Sequence, residues 1–375
     1  MKSKPVILTI SHQKKGHGTF PRHERMALAL KRRGFDVIWI SPKGYKNKKF
    51  TNLNLAINFI PDFLFISMYL KLFITCLLNF KVIKRAEYIL AVREYDAISL
   101  FFNPFLKKSK KIFFSRGDVI SILKVNLPDR TFFLKYKDKL IILFYPILQK
   151  IIYKKSDLML FQAKFLKNIF KKRVNCGSQK IKILPNNCIN KLQKIRKSAK
   201  LDKRIILGFA APMYWSCKGL ETIHRTYEEL VKTNILFSLE IAGRGPQELQ
   251  LINNLNKTSN KQYKWNGWIN NIDNFFEKID ILIVPSLYDS SPNLIFEALQ
   301  KKKIIFASNI SAHKEILGNN ELLFSKNNLK SLIKRIMRVK TSRAYKKKLE
   351  NKIFQLKKKH TFDWEKKFSE FVKKC

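Results

Sequence analysis

Residues Asp280 to Asp289 read DILIVPSLYD, and Ser290 to Leu299 continue as SSPNLIFEAL. The first seven, Asp280 to Ser286, form a short run rich in Ile and Val, the pattern of a strand buried on both faces of a parallel sheet, and Pro285 ends it. A loop follows, then a helix: Ser290 and Ser291 suit the N-cap, Pro292 suits the first helical position, and Leu294, Ile295, Ala298 and Leu299 supply an apolar face. The unpaired N–H groups of such a helix start face the loop that carries Asp289, a geometry suited to anionic ligands. Glu297 stands eight positions after Asp289, so a ligand lying along the helix start can meet both acids. Taken alone, an acid pair at this spacing is ordinarily a capped helix with a solvated Asp and an exposed Glu.

The surrounding chain is organised in the same way. At 375 residues it exceeds one ordinary core and suits two domains. Short apolar strands alternate with longer helical patterns, the signature of parallel βαβ sheets. In the first half the strands fall at Pro5–Ile10, Phe35–Ile40, Ala56–Ile60, Asp96–Phe101, Lys111–Ser115, Asp157–Phe161 and Lys180–Leu184, with a helix from about Arg22 to Arg33 closed by Gly34. A polar linker at Pro185–Lys200 precedes a second set at Arg204–Phe209, Phe237–Ala242, Tyr263–Gly267, Asp280–Pro285, Lys303–Ser308 and Leu322–Phe324. A helix at Gly219–Lys232, with Leu220, Ile223, Tyr227 and Leu230 on one side, joins the first pair of that set.

Composition narrows the function. Lys and Arg total 75 against 27 acids, a formal charge of +48, while Gly is scarce at 12, the bias of an AT-rich coding sequence. A chain this basic is drawn to anionic surfaces, such as inner-leaflet phospholipid or a diphosphate-linked lipid. No helix-turn-helix, zinc-finger or RNP pattern accompanies the lysines, which argues against dedicated nucleic-acid binding. The five cysteines contain no CxxC pair, so neither a disulfide framework nor a zinc site is implied and a reducing cytosol fits. The apolar run of the N-terminus turns polar at Ser11, too soon for a secretory signal. Phe63–Phe80 approaches the length of a membrane span, but Lys71 interrupts it and Pro61 and Asp62 cap its start, so a buried or interface-facing helix is expected. Residues 326–360 are crowded with Lys and Arg, either as solvated helix faces or as a membrane-facing patch.

Several segments carry a resemblance. The run from Asp289 to Leu299 resembles the donor-sugar motif of the retaining nucleotide-sugar glycosyltransferases of family 4, an acid, seven residues and then Glu within a "PS…E/D…P-N…EAL" frame that also takes in Asn293. Leu239–Pro246 (LEIAGRGP) is similar to the family's strand and Gly-rich turn, Trp265–Ile269 (WNGWI) to the strand end before its "fF…aDi" helix, and Ala307–Leu317 (ASNISAHKEIL) to its "atd…pEil" element. Pro185, Asn186 and Asn187 resemble the "iPNg" linker, and Phe362–Glu365 the "fsWe" start of the last helix. The likeness is dense over residues 180–325 and implies the GT-B fold: two facing Rossmann-like domains with parallel sheets and an interdomain cleft. It places an acceptor domain at 1–187, completed by a C-terminal helix at 361–375, and a donor domain at 188–360.

The resemblance also implies roles. Asp289 would accept hydrogen bonds from sugar hydroxyls, Glu297 from the ribose diol, Lys218 of the "KG" pair would meet the diphosphate, and backbone at Trp268 and Ile269 would hold the base. Ser290, Ser291 and Asn293 would line the helix start. The family's Arg after the strand-end Gly is missing, since Gly208 is followed by FAAPMYWSC; either Lys218 acts with Arg244 of GRGP, or the chain belongs to the subgroup that replaces the Arg. In the first half, Gly16 and Gly18 of KKGHGTF let backbone approach phosphates or acceptor, with His12 and His17 beside them and Glu24 and Arg25 following. The family's His after the fifth strand is absent, and Arg116 and Asp118 occupy that place. Charge building on a departing diphosphate needs cations and helix dipoles more than a protein nucleophile. No Asp-x-Asp signature is present, so a metal-independent reaction without cofactor is expected. The expected activity is retaining transfer of a hexose from a UDP- or GDP-sugar to a lipid-linked or cell-surface polysaccharide, in the cytoplasm at the inner face of the membrane. A degenerate GT-B binding protein and a sugar-nucleotide epimerase are the alternatives.

Overall fold

A computed structural model of the chain describes residues 4–11, 20–41, 46–55, 65–188, 204–258, 262–318 and 321–375. The chain divides into two compact units, one of residues 1–116, 141–185 and 363–375, the other of residues 117–140 and 186–362. Residues 117–140 thus group with the second unit, not with the first half to which the sequence division assigns them.

The first unit holds a seven-stranded sheet of order β3-β2-β1-β4-β5-β6-β7. Its strands are β1 (Val6–Ile10), β2 (Asp36–Ser41), β3 (Thr51–Asn54), β4 (Tyr88–Ala91), β5 (Lys110–Ser115), β6 (Leu158–Phe161) and β7 (Ile181–Ile183). Every pair is parallel. The helices up to β7 are α1 (Phe20–Arg32), α2 (Phe65–Leu78), α3 (Phe80–Ile83), α4 (Glu94–Phe101), α5 (Val119–Asn126), α6 (Phe132–Lys155) and α7 (Lys164–Val174). One expectation is overturned: Asp96–Phe101, expected as a strand, lies in α4, and β4 lies just before it. The run is buried on nearly all sides, so it shows no helical stripe, but Glu94 and Asp96 in its first turn suit a helix start. The strand expected at 56–60 lies outside the described residues.

In α2, Lys71, Leu72, Thr75 and Cys76 are buried while Leu77 and Leu78 stand exposed. The interrupting lysine therefore faces inward. Among the described residues no helix is long and apolar enough to cross a membrane. The last helix, α16 (Trp364–Lys373), begins at Asp363, whose side chain accepts from Lys366 N, and it packs on α1. Trp364 and Phe368 are buried against Phe114, Arg25 lies over the Trp364 ring, and Arg32 Nε donates to Glu365 Oε2 at 2.9 Å. These are packing contacts of the first unit.

The second unit carries a six-stranded parallel sheet of order β10-β9-β8-β11-β12-β13. The strands are β8 (Ile205–Ala210), β9 (Phe237–Ala242), β10 (Tyr263–Trp265), β11 (Ile281–Val284), β12 (Ile304–Ser308) and β13 (Leu323–Phe324). Its helices from residue 186 onward are α8 (Trp215–Lys218), α9 (Leu220–Val231), α10 (Glu248–Asn256), α11 (Ile272–Lys278), α12 (Asn293–Gln300), α13 (Ser311–Leu317), α14 (Leu329–Thr341) and α15 (Arg343–Lys359). The predicted stripe of α9, Leu220, Ile223, Tyr227 and Leu230, is buried in the core. Part of the basic region is structural: Arg335 Nη1 donates to the carbonyls of Glu321 and Leu323, and Arg338 lies over Tyr345.

Candidate functional site

Strand order locates the site of the second unit. β9 and β10 lie to one side of β8, and β11 to β13 to the other, so the connections leaving β8 and β11 part at their carboxyl ends. In open α/β sheets that switch point is where ligands bind. The loop after β8 leads to Lys218, and the loop after β11 leads to Asp289.

Close backbone packing joins the two loops. Gly219 has φ +67°, and a Cβ there would lie 2.2 Å from Pro285 O, so only glycine lets the α8–α9 junction pass under the end of β11. Leu287 N then donates to Cys217 O at 3.0 Å. Asp129 fixes the other end of α8, accepting from Ser216 N at 3.0 Å and Ser216 Oγ at 2.9 Å. As a result Lys218 Nζ donates to Asp289 Oδ2 at 2.8 Å, while Ser290 N donates to Asp289 Oδ1 at 2.9 Å. The two side chains are 21% and 16% exposed, a paired but reachable ammonium and carboxylate. Burial alone would raise the Asp289 pKa, but the Lys218 charge and hydrogen bond outweigh it and hold the carboxyl below its usual range.

A buried layer lies beneath the pair. His313, fully buried, meets Ser308 O through Nδ1 at 2.8 Å. A carbonyl only accepts, so Nδ1 carries the proton and Nε2 is a bare acceptor, with no hydrogen-bond partner among the described residues. Burial, opposed by the Asp289 charge, pushes the His313 pKa down to about 4, so the ring is neutral. Ser308 Oγ bonds both His313 Nδ1 and Ser286 O. Tyr288, whose phenol burial pushes up, accepts from Asp118 N at 2.8 Å. Sequence reasoning singles out neither His313 nor Tyr288, although both lie in the quoted segments.

The helix start differs from its expected form. Pro292 is the N-cap of α12 and Asn293 its first residue, while neither Ser290 nor Ser291 caps it. Ser291 is buried, and its carbonyl accepts from Asn186 Nδ2 at 3.1 Å. Asn186 also donates to Asn293 Oδ1 at 2.8 Å, so the linker asparagine braces the start of α12. Glu297 lies half-buried on α12.

Arg244 is exposed in the turn after β9. A Cβ at Gly245 would lie 2.7 Å from Met213 N, and one at Gly243, with φ +132°, 1.9 Å from Ala211 O, so this turn presses onto residues 211–213. The Arg244 side chain lies along Gly267, next to Trp268, which is 54% exposed. Ile269 is half-buried and helps line a cavity of about 240 Å³ with Glu240, Asn266, Asn271 and Asn274.

Of the residues proposed from the first half, Gly16, Gly18, His12 and His17 lie outside the described residues. Arg116 Nη1 lies 4.0 Å from Met26 Sδ in the first unit. Asp118 caps α5, its Oδ2 accepting from Ser121 N at 3.0 Å and Ser121 Oγ at 2.5 Å. That carboxylate therefore has a structural use.

Two parallel α/β units with seven and six strands, aligned over nearly the whole chain with solved glycosyltransferase structures, give the chain the GT-B fold. The model of the family glycosyl transferases group 1 matches residues 204–341, within the second unit. Protein CapJ of Staphylococcus aureus is 25% identical over 211 residues, which cover 55% of this chain and 52% of that protein. The chain thus spans about half the length of that relative. Among solved structures, WaaG, a glycosyltransferase involved in lipopolysaccharide biosynthesis, has a TM-score of 0.71 and 13% identity, covering 98% of this chain and 99% of its own. HepE from Anabaena in complex with UDP-glucose has a TM-score of 0.69 and 10% identity, covering 99% of this chain and 100% of its own. At such identities these likenesses bear on the fold alone.

Proposed function

We propose that the protein is a retaining hexosyltransferase that takes a sugar from a UDP- or GDP-linked donor and passes it to a lipid-linked or cell-surface polysaccharide. The observation that carries this reading is the Lys218–Asp289 pair at the sheet's switch point, within the matched group 1 domain. Lys218 would neutralise charge on the departing diphosphate, with the α12 N-terminus adding its dipole, and Asp289 would orient the sugar hydroxyls. Glu297 would meet the ribose, Arg244 the diphosphate, and the backbone at Trp268 and Ile269 the base. Arg116 and Asp118 would act on the acceptor side. The nature of WaaG and the ligand held by HepE agree with a sugar-polymer acceptor and a UDP-sugar donor. Transfer would need no metal or cofactor, and the chain would work in the cytoplasm on the anionic inner face of the membrane, to which its net charge of +48 draws it.

Thermal stabilisation across a panel of nucleotide sugars identifies the donor. Product analysis with that donor should show release of a nucleoside diphosphate, retained anomeric configuration and no loss on adding EDTA. Donor binding without release, with every acceptor tried, would instead identify a degenerate binding protein. A change in the donor sugar without transfer would identify an epimerase.

A further inference from the structure

The 24 residues of α6 extend about 36 Å. One side, with Asp138, Tyr145, Gln149 and Ile152, is buried. On the opposite side Phe133, Tyr136, Leu140, Leu143, Ile147 and Ile151 follow one another at three- and four-residue spacing, each at least 38% exposed and Phe133 at 84%. Single exposed apolar side chains are ordinary, but an unbroken stripe along a whole helix marks a surface that is covered in use. Exposed Lys135, Lys137, Lys139 and Lys150 flank it, while Asp138, the helix's acid, is turned inward and paired with Arg130 at 3.1 Å.

We infer that the outer stripe of α6 is a bilayer-insertion surface, lying in the plane of a membrane with anionic headgroups. The inference rests on the membrane-seated reading given above and assigns its contact to one helix. Charge decides the occupant. A second copy would bring another +48 and be repelled, whereas an anionic bilayer attracts the flanking lysines and accepts the apolar side chains between them. The lysines supply attraction that salt screens, and the stripe supplies retention that salt leaves in place.

The test uses the full chain with vesicles of phosphatidylcholine, alone or mixed with phosphatidylglycerol, in flotation at low and raised salt. The wild type should float with the mixed vesicles and stay partly bound at raised salt. Leu143→Ser with Ile147→Ser should lower the partition coefficient at least tenfold, equivalent to about 1.4 kcal/mol. Both sites are exposed, so melting temperature and stabilisation by donor should not change. Phe144→Trp, which removes no apolar surface, should be quenched by brominated acyl chains beyond the wild-type level. Equal binding by the double variant, or no added quenching, would overturn the assignment of α6. Lipid-free dimerisation abolished by the double variant would overturn it in favour of a second copy. If the wild type binds no vesicle, the membrane-seated reading fails as well, and nucleotide release in solution tests the transferase reading separately.

Discussion

Gly219→Ala should lower the stability of the second unit by about 2–5 kcal/mol, because two costs coincide there. A non-glycine residue at φ +67° costs about 1–2 kcal/mol. The added methyl would lie 2.2 Å from Pro285 O and 2.9 Å from Pro285 C, both backbone atoms that no rotamer change can clear. Pro285 must retreat by roughly 1 Å to restore an ordinary contact, and overpacking of that kind costs about 1–3 kcal/mol. The displacement is carried along the loop to Leu287, bonded to Cys217, and to Asp289, bonded to Lys218. With Asp289 and Lys218 acting on the donor as proposed, a shift of this size should lower turnover by on the order of a hundredfold. Gly267→Ala is the control: φ is +59°, but the methyl would meet chiefly the flexible Arg244 side chain, at 3.5 Å and 3.7 Å, so the conformational cost stands nearly alone. Urea unfolding followed by the fluorescence of Trp215, Trp265 and Trp268 reads the second unit. Equal losses in the two variants would refute the close-approach reasoning.

Three further outcomes follow from the same contacts. The His313 pKa falls from 6.5 to about 4 on folding, so the unfolded chain binds the extra proton between those values and stability is lost as pH falls through that window. At ~1.4 kcal/mol per pH unit the loss is on the order of 3 kcal/mol, and His313→Asn should flatten this acid limb in unfolding measured from pH 7 to pH 4. Asp118→Asn keeps an N-cap acceptor, so the melting temperature should hold while transfer drops if the carboxylate acts on the acceptor; unchanged turnover would leave Asp118 only its capping role. Phe368→Ala removes a fully buried ring packed on Phe114 and Trp364 and should destabilise the first unit by about 3–5 kcal/mol, seen as a lower midpoint in Trp39 and Trp364 fluorescence.

The second unit is the more legible in sequence. Its β8, β11 and β12 each hold two or more Ile or Val residues, Pro285 follows β11 and Gly243 follows β9, which falls where Phe237–Ala242 reads as a strand. The α9 stripe gives an unambiguous helical period. In the first unit, α4 is buried on so many sides that its apolar run cannot be told from a strand, and β4 has only four residues. The outward face of α6 is not foreseeable either, since periodicity identifies an apolar stripe but not whether anything covers it.

Site legibility follows the same division. Motif positions single out Lys218 and Asp289 separately, yet their contact depends on Gly219 passing beneath Pro285, a relation between two loops 66 residues apart in the chain. Nothing local in the sequence marks His313 as buried and uncharged; that follows from its place against Ser308 after β12. The Asp118 cap shows the converse, a polar residue at a strand's end whose carboxylate is used by the next helix.

The claim that Lys218 and Asp289 together grip an activated sugar is tested most directly by nucleoside diphosphate release from the donor found in the thermal screen, comparing wild type with Lys218→Met. With far-UV circular dichroism verifying the fold, kcat should fall by about 10²–10³-fold, the usual effect of removing one group that stabilises developing charge. Turnover within twofold of wild type would contradict it.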